Sequence, residues 1–600
     1  MATKTSQTGE AEQAATGNYC VESYRKLGEA VGAFFRQPPV YKPSRRYDAL
    51  AVFSAWNDVV SGAFAHPDKV LRAQADAWSE WGKFWTNIWD TSGEVEPVAA
   101  PERGDRRFKG EEWDKNPFYR SVKESHLLIA RQMRELIEAS TEADPSKRAL
   151  ASLLLEQYLN AVAPTNFVVT NPDVLRRTVD TGGANLVAGF ANLLSDITEG
   201  RGIIRRRTDD KAFELGKNLA STPGEVIYQN DLMQLIQYAP STKTVRARPL
   251  LYVPPLVNKY YMIDLQPRSS LVKWLVDQGQ TVFLISWVDP NESHRHCEVD
   301  DYVGRGVLEA LDKVIECTGE SSVDLFGFCM GGTLIAMADA VLAARGEIDK
   351  VGTSTLIGAL VDFEDMKEWS AFVNEAHVDA LEGHIETKGY IDKDELHQLF
   401  AMMRANDLIW SSWVSHYLLD KDSPPSDLLF WFEDGSHIPQ AFLRSYNRKL
   451  LLEDHLRVPG AVELLGEKLD LGKVTVPLMI VGLKDDHVSA WPSVYRGHQY
   501  FGGPVEFVLG GSGHNAGVIN PPAANKHGYW TNPELASDAG AWLQNAGKHE
   551  GSWWPHWVQW LEKNDKGGQV PARKPGCGKL KPIEPAPGSF VLKPERLQDA

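Results

Sequence analysis

Cys329 stands at the centre of GFCMGGT, with Gly327 and Gly331 two residues to either side. The apolar run Val323, Leu325 and Phe326 precedes it, and Leu334, Ile335, Met337, Ala338, Val341 and Leu342 follow at helical spacing. A cysteine so placed is the pivot of a sharp strand-to-helix turn, where small neighbours let the two backbones pass closely and the pivot side chain is pushed outward. The amides of the helix's first turn, at its positive dipole end, favour thiolate over thiol and can stabilise an oxyanion. Met330 supplies the first such amide. The alternative is a buried, inert cysteine, the commoner fate of a free thiol.

A nucleophilic thiol needs a base, and the base needs an orienting acid. The apolar run VPLMIV (476–481) leads into GLKDDHVSAW, with Asp485, Asp486 and His487; VEFVL (505–509) leads into GGSGHNAGVINPP, with His514. Nucleophile, acid and histidine in that chain order, each beyond a strand end, are the pattern of α/β-hydrolases, here with sulfur in place of the usual serine oxygen. Either Asp485 or Asp486 can serve as the acid. His514 is preferred to His487 for its order in the chain and its glycine-rich loop. A second oxyanion amide is expected after an early strand, and Val257 in VPPLVNKYYMIDL occupies that place; an ordinary proline-fixed turn is the alternative reading. Acyl exchange between a carrier thioester and an enzyme thiol is nearly isoenergetic, so cysteine favours acyl transfer over simple ester hydrolysis. Walker and dinucleotide-binding signatures are absent from the sequence.

The elements that must position these residues alternate. Short apolar strands at PLLYV (249–253), TVFLISW (281–287), the run at Val323 and 353–359 are separated by helical patterns of 10 to 16 residues, which specifies a parallel sheet covered on both faces. Alternation lapses from 361 to about 475, an aromatic-rich stretch that reads as a cap inserted over the strand ends. Before the sheet, 21–220 reads as a mostly helical domain with a linker at about 92–116, and 1–20 as a disordered tail. Residues 221–600 form the catalytic domain. The expected fold is α/β, an α/β-hydrolase with a cap insertion, preceded by a helical N-terminal domain.

Six hundred residues with 43% hydrophobic composition suffice for two cores, and a net charge of −17 argues against nucleic-acid binding. The five cysteines show no CxxC spacing, and no apolar run reaches membrane-spanning length or signal-peptide form, so a reducing cytoplasm is expected.

Together VPPLVNKYYMIDLQP, TVFLISW, GFCMGGT, KDDHVSAW, GHNAGVINPP and GSWWPHW resemble class I poly(3-hydroxyalkanoate) synthases, from about residue 150 nearly to the C-terminus. The resemblance implies polymerisation of (R)-3-hydroxyacyl-CoA, with short-chain substrates such as 3-hydroxybutyryl-CoA expected, into polyester with release of coenzyme A. A thioesterase or polyester depolymerase on the same triad is the alternative. The resemblance makes Cys329 the acylated nucleophile, His514 its base and Asp486 the supporting acid, with Met330 and Val257 as oxyanion amides. Arg404 in RANDLIW resembles a cap arginine of the substrate passage, and a structural salt bridge reads equally well. No cofactor or metal is expected, coenzyme A being a leaving group. A homodimer at the surface of a polyester granule, with a phasin-type partner, is also implied. Phe432-Glu433 before Asp434 departs from the small Asn-Gly or Asn-Ala of the family.

Overall fold

The computed structural model describes residues 3–36, 56–62, 65, 67–88, 96–102, 105–139, 144–199, 211–422, 424–565 and 567–592. Phe53, Phe64, Trp89 and part of the linker at 92–116 lie outside them. Two compact units are present: Met1–Thr208 with Gln398–Pro425, and Asp209–His397 with Ser426–Ala600.

The first unit is helical: α1 Thr3–Arg36, α2 Pro67–Asn87, α3 Pro117–Ala139, α4 Pro145–Ala161, α5 Pro172–Asp180 and α6 Ala184–Thr198. Helix α1 includes almost all of the stretch read as a tail, because Glu10, Ala11, Glu12, Gln13, Ala14 and Ala15 are strong helix formers. Side-chain bonds start two of these helices, Asp144 capping α4 and Asn171 capping α5. Segment 413–418 of the insertion packs on α6. A Cβ on Gly189 would overlap the Tyr417 carbonyl oxygen, Asn185 Nδ2 donates to Leu418 O at 2.7 Å, and the Tyr417 hydroxyl donates to buried Asp196 at 2.8 Å. Part of the span assigned to the insertion, 398–425, thus belongs by packing to the helical unit.

The second unit is built on an eleven-stranded sheet. Its strands are β1 Gly224–Gln229, β2 Met233–Tyr238, β3 Leu250–Val253, β4 Val282–Trp287, β5 Val323–Phe328, β6 Val351–Ile357, β7 Leu478–Leu483, β8 Val505–Gly510, β9 Tyr529–Thr531, β10 Gly547–His549 and β11 Glu584–Pro585. The spatial order is β10-β9-β8-β7-β6-β5-β3-β4-β2-β1-β11. From β4 across to β8 neighbouring strands are parallel, and every residue of β3, β4, β5 and β7 is buried, as two covered faces require.

The antiparallel margins β1, β2, β9, β10 and β11 go beyond the parallel sheet expected from the sequence, and β9, β10 and β11 follow β8 in the chain, although VEFVL reads from sequence as the last strand. β9, β10 and β11 have only two or three residues each, too few to display a periodicity, while GEVIYQ and MQLIQY form a hairpin whose polar Gln234 and Gln237 are buried. Gln234 Nε2 donates to Gln229 and Ser589, and Gln237 Oε1 accepts from the Gly576 amide. Among the described residues no helix is long and apolar enough to cross a membrane.

Candidate active site

β5 and the helix α7, Met330–Arg345, meet at Cys329, whose φ of 52° and ψ of −129° lie where non-glycine residues are rarely found. A conformation of this kind costs about 1–3 kcal/mol and persists only where its surroundings over-determine it. Here the Cys329 amide donates to Ile357 O at the end of β6 (2.8 Å), and the Cys329 carbonyl accepts the Gly332 amide (2.9 Å). The flanking glycines are needed for space. A Cβ on Gly327 would lie 2.7 Å from the Gly331 carbonyl carbon, and one on Gly331 would overlap the Val253 carbonyl oxygen. The elbow therefore touches the backbone of β3 at the point where the Val257 loop begins.

Asp486 follows β7 directly. Its Oδ1 accepts the Val488 and Ser489 amides at 2.8 and 2.9 Å, and its Oδ2 lies 2.6 Å from His514 Nδ1. The Asp486 side chain is fully buried, whereas Asp485 is exposed. His487 is half-buried beside it.

His514 lies in the loop after β8, its ring packed on Phe328 with centroids 4.5 Å apart. That loop is braced from below by GSWWPHW. Trp553 Nε1 donates to Gly517 O and Trp554 Nε1 to Val518 O, both at 2.9 Å, and all three tryptophans of this segment are buried against the body. Burial alone would lower the pKa of His514, but the Asp486 carboxylate and the Cys329 sulfur both favour the imidazolium, and together they push it up to about 10. The Asp486 carboxylate and the His514 imidazole are joined by a hydrogen bond, and the Cys329 sulfur lies near enough to the ring to favour its charged form, an arrangement suited to a thiolate–imidazolium pair.

Met330 is the first residue of α7, and the first amides of a helix have no intrahelical acceptor. Among the described residues the Val257 amide donates to no backbone carbonyl, although the Val257 carbonyl accepts the Ser436 amide. Arg404 lies in the helical unit, half-exposed, with Nε donating to Asp407 Oδ2 at 3.0 Å, the arrangement of a structural salt bridge.

Two components had no signal in the sequence. Tyr446, inside the insertion, is buried near Cys329, and burial together with the sulfur's charge holds its hydroxyl neutral. Gly358, with φ of 54°, ends β6 so close to the pair that a Cβ would lie 3.5 Å from both Asp486 Oδ2 and His514 Cε1. Half-buried Cys329 packs against the hydrophobic cluster to which Leu428, Phe430, Trp431, Phe432 and Ile519 also belong.

Residues 104–275 match the family described as poly-beta-hydroxybutyrate polymerase (PhaC) N-terminus, and residues 249–521 match the alpha/beta hydrolase fold family. The poly(3-hydroxyalkanoate) polymerase subunit PhaC of Rhizobium meliloti (strain 1021) is 41% identical over 528 residues, 88% of this chain and 86% of its own. The chain belongs to the poly(3-hydroxyalkanoate) polymerase family. Two other members are similar over comparable lengths: the polymerase of Methylorubrum extorquens, 41% identical over 88% of this chain and 87% of its own, and the PhaC subunit of Cupriavidus necator, 39% identical over 87% and 89%. Poly(3-hydroxyalkanoate) polymerases are acyltransferases, and the chain is an enzyme of that class on an α/β-hydrolase fold.

Proposed function

We propose that the chain polymerises (R)-3-hydroxyacyl-CoA into polyester through an acyl-thioester on Cys329, with short-chain units such as 3-hydroxybutyryl-CoA as substrates. The observation carrying this reading is the strained elbow that presents Cys329, beside a buried His514 imidazole packed on Phe328 and paired to buried Asp486.

The Cys329 thiolate attacks the thioester carbonyl, and the oxyanion is held by the Met330 and Val257 amides. As the intermediate collapses, the bond to coenzyme A breaks and the departing thiolate takes the proton of the His514 imidazolium. Neutral His514 then receives the proton of the 3-hydroxyl on an incoming substrate, whose oxygen attacks the acyl-Cys329 carbon. An ester forms, the Cys329 thiolate leaves, and the ion pair is restored. The lengthened thioester, now on coenzyme A, returns to Cys329 in the next cycle. Asp486 keeps Nδ1 of His514 protonated, so that Nε2 serves the thiol and the hydroxyl in turn.

The same reading sets the enzyme in the cytoplasm at a polyester granule surface, as a homodimer with a phasin-type partner, and with Arg404 near the substrate passage. Its test is to supply (R)-3-hydroxybutyryl-CoA and measure both free coenzyme A and product chain length. Polymer with stoichiometric coenzyme A is expected. Monomeric hydroxy acid alone would overturn the proposal in favour of a thioesterase.

A further inference from the structure

The loop that carries Val257 is held from two sides. Val253, where it starts, pairs with Gly327 of the elbow strand, and Pro254 O accepts the Trp287 indole N–H at 2.9 Å. From the other side comes residues 431–436 of the insertion. The Ser436 amide donates to Val257 O (2.9 Å), Asn258 and Gly435 form an antiparallel bridge, Asn258 Nδ2 donates to Phe432 O (3.2 Å), and Trp431 Nε1 donates to Lys259 O (2.6 Å).

At the centre of these contacts is Asp434, whose side chain is 8% exposed. Its Oδ1 lies 3.1 Å from Lys259 Nζ and its Oδ2 accepts the Tyr261 hydroxyl at 2.9 Å. Lys259 is equally enclosed, with Nζ also donating to Val591 O at 3.1 Å. A buried carboxylate bridging two residues of one loop fixes that loop far more firmly than backbone contacts alone, because both charges depend on the geometry being kept. Phe432, which departs from the family pattern, enters the clamp by its carbonyl oxygen, so the side-chain change leaves this contact intact.

We propose that Asp434 is a positioning residue for the oxyanion hole: through Lys259 and Tyr261 it holds the peptide presenting the Val257 amide at its working distance from Cys329. The inference rests on the reading of Cys329 as the acylated nucleophile. Since Asp434 acts on the geometry of an amide used in the transition state, its loss lowers kcat and leaves KM nearly unchanged.

The test uses the full-length chain with (R)-3-hydroxybutyryl-CoA, following coenzyme A release and thermal midpoint together. Asp434→Asn is expected to lower kcat by about tenfold to a hundredfold with KM within about twofold, up to the effect of losing one oxyanion donor. The paired change Lys259→Met with Asp434→Leu removes both charges, and is expected to regain the thermal midpoint without regaining kcat. Recovery of kcat along with stability, or a rise in KM alone, would overturn the positioning role. Cys329→Ala, measured alongside, separates the two levels. If release survives in Cys329→Ala, the nucleophile and the clamp's purpose both fail; if it is lost there but unchanged in Asp434→Asn, only the clamp fails.

Discussion

In the proposed mechanism Cys329, His514 and Asp486 act as one charged unit, and their predicted behaviour follows from the coupling. Cys329→Ala is expected to abolish coenzyme A release, and His514→Gln to lower it by at least about a thousandfold. Asp486→Asn should retain measurable acylation, since the imidazole keeps its place on Phe328 while losing the tautomer that Asp486 enforces. The pH dependence has a definite sign. The folded pKa of His514, about 10, exceeds the roughly 6.5 of a free histidine, so its contribution to stability is complete below about pH 6.5 and is lost as pH rises toward 10. Cys329→Ala deletes the sulfur, one of the two groups that raise the ring's pKa, and an NMR titration of His514 should then report a lower pKa. An unchanged value would mean that sulfur and ring are not in contact.

At the scale of elements, the elbow depends on close backbone approach, and α7 carries a buried carboxyl behind it. Gly331→Ala places a methyl group on the Val253 carbonyl, so it is expected to separate β3 from the elbow and lose most activity; wild-type turnover in this variant would refute the contact. Asp339, on α7, is fully buried with Ser354 Oγ donating at 2.7 Å, and burial pushes its carboxyl up to about 7. A raised carboxyl penalises the folded state increasingly as pH rises from about 4 to 7, and by a constant amount above. Asp339→Asn is therefore expected to stabilise the chain by about 1–2 kcal/mol at pH 8 and not at pH 4, as denaturant unfolding at the two values would measure.

Across the whole molecule, distant stretches of chain complete local structures. Residues after 582 close the sheet, with Ile583 N on Val226 O at 2.7 Å and Ala586 N on Gly224 O at 2.9 Å, while Val591 O receives Lys259. Ending the chain at residue 582 is expected to lower the thermal midpoint and kcat together, because it exposes the β1 edge and removes a support of the oxyanion loop. Likewise, 413–418 is held by α6, so Gly189→Leu should make that segment sensitive to limited proteolysis while α3 and α4 remain protected.

The sequence by itself determined the elbow, the order of nucleophile, acid and histidine, and the central parallel strands, because each leaves a short-range mark: glycines about a pivot, apolar runs, polar loops beyond them. It also carried the family, through motifs long enough to be specific. Between Asp485 and Asp486 the local residue pattern does not choose; the resemblance favours Asp486, and in the fold it is Asp486 that is buried and bonded to His514, because adjacent carboxylates differ in burial and in the partners they meet. Only the tertiary structure decided the marginal strands, Tyr446, Gly358 and the bridge from Asp434 to Lys259 and Tyr261. Apart from the β1–β2 hairpin, each joins residues far apart in the chain, and contacts of that kind are made by packing, which no local pattern records.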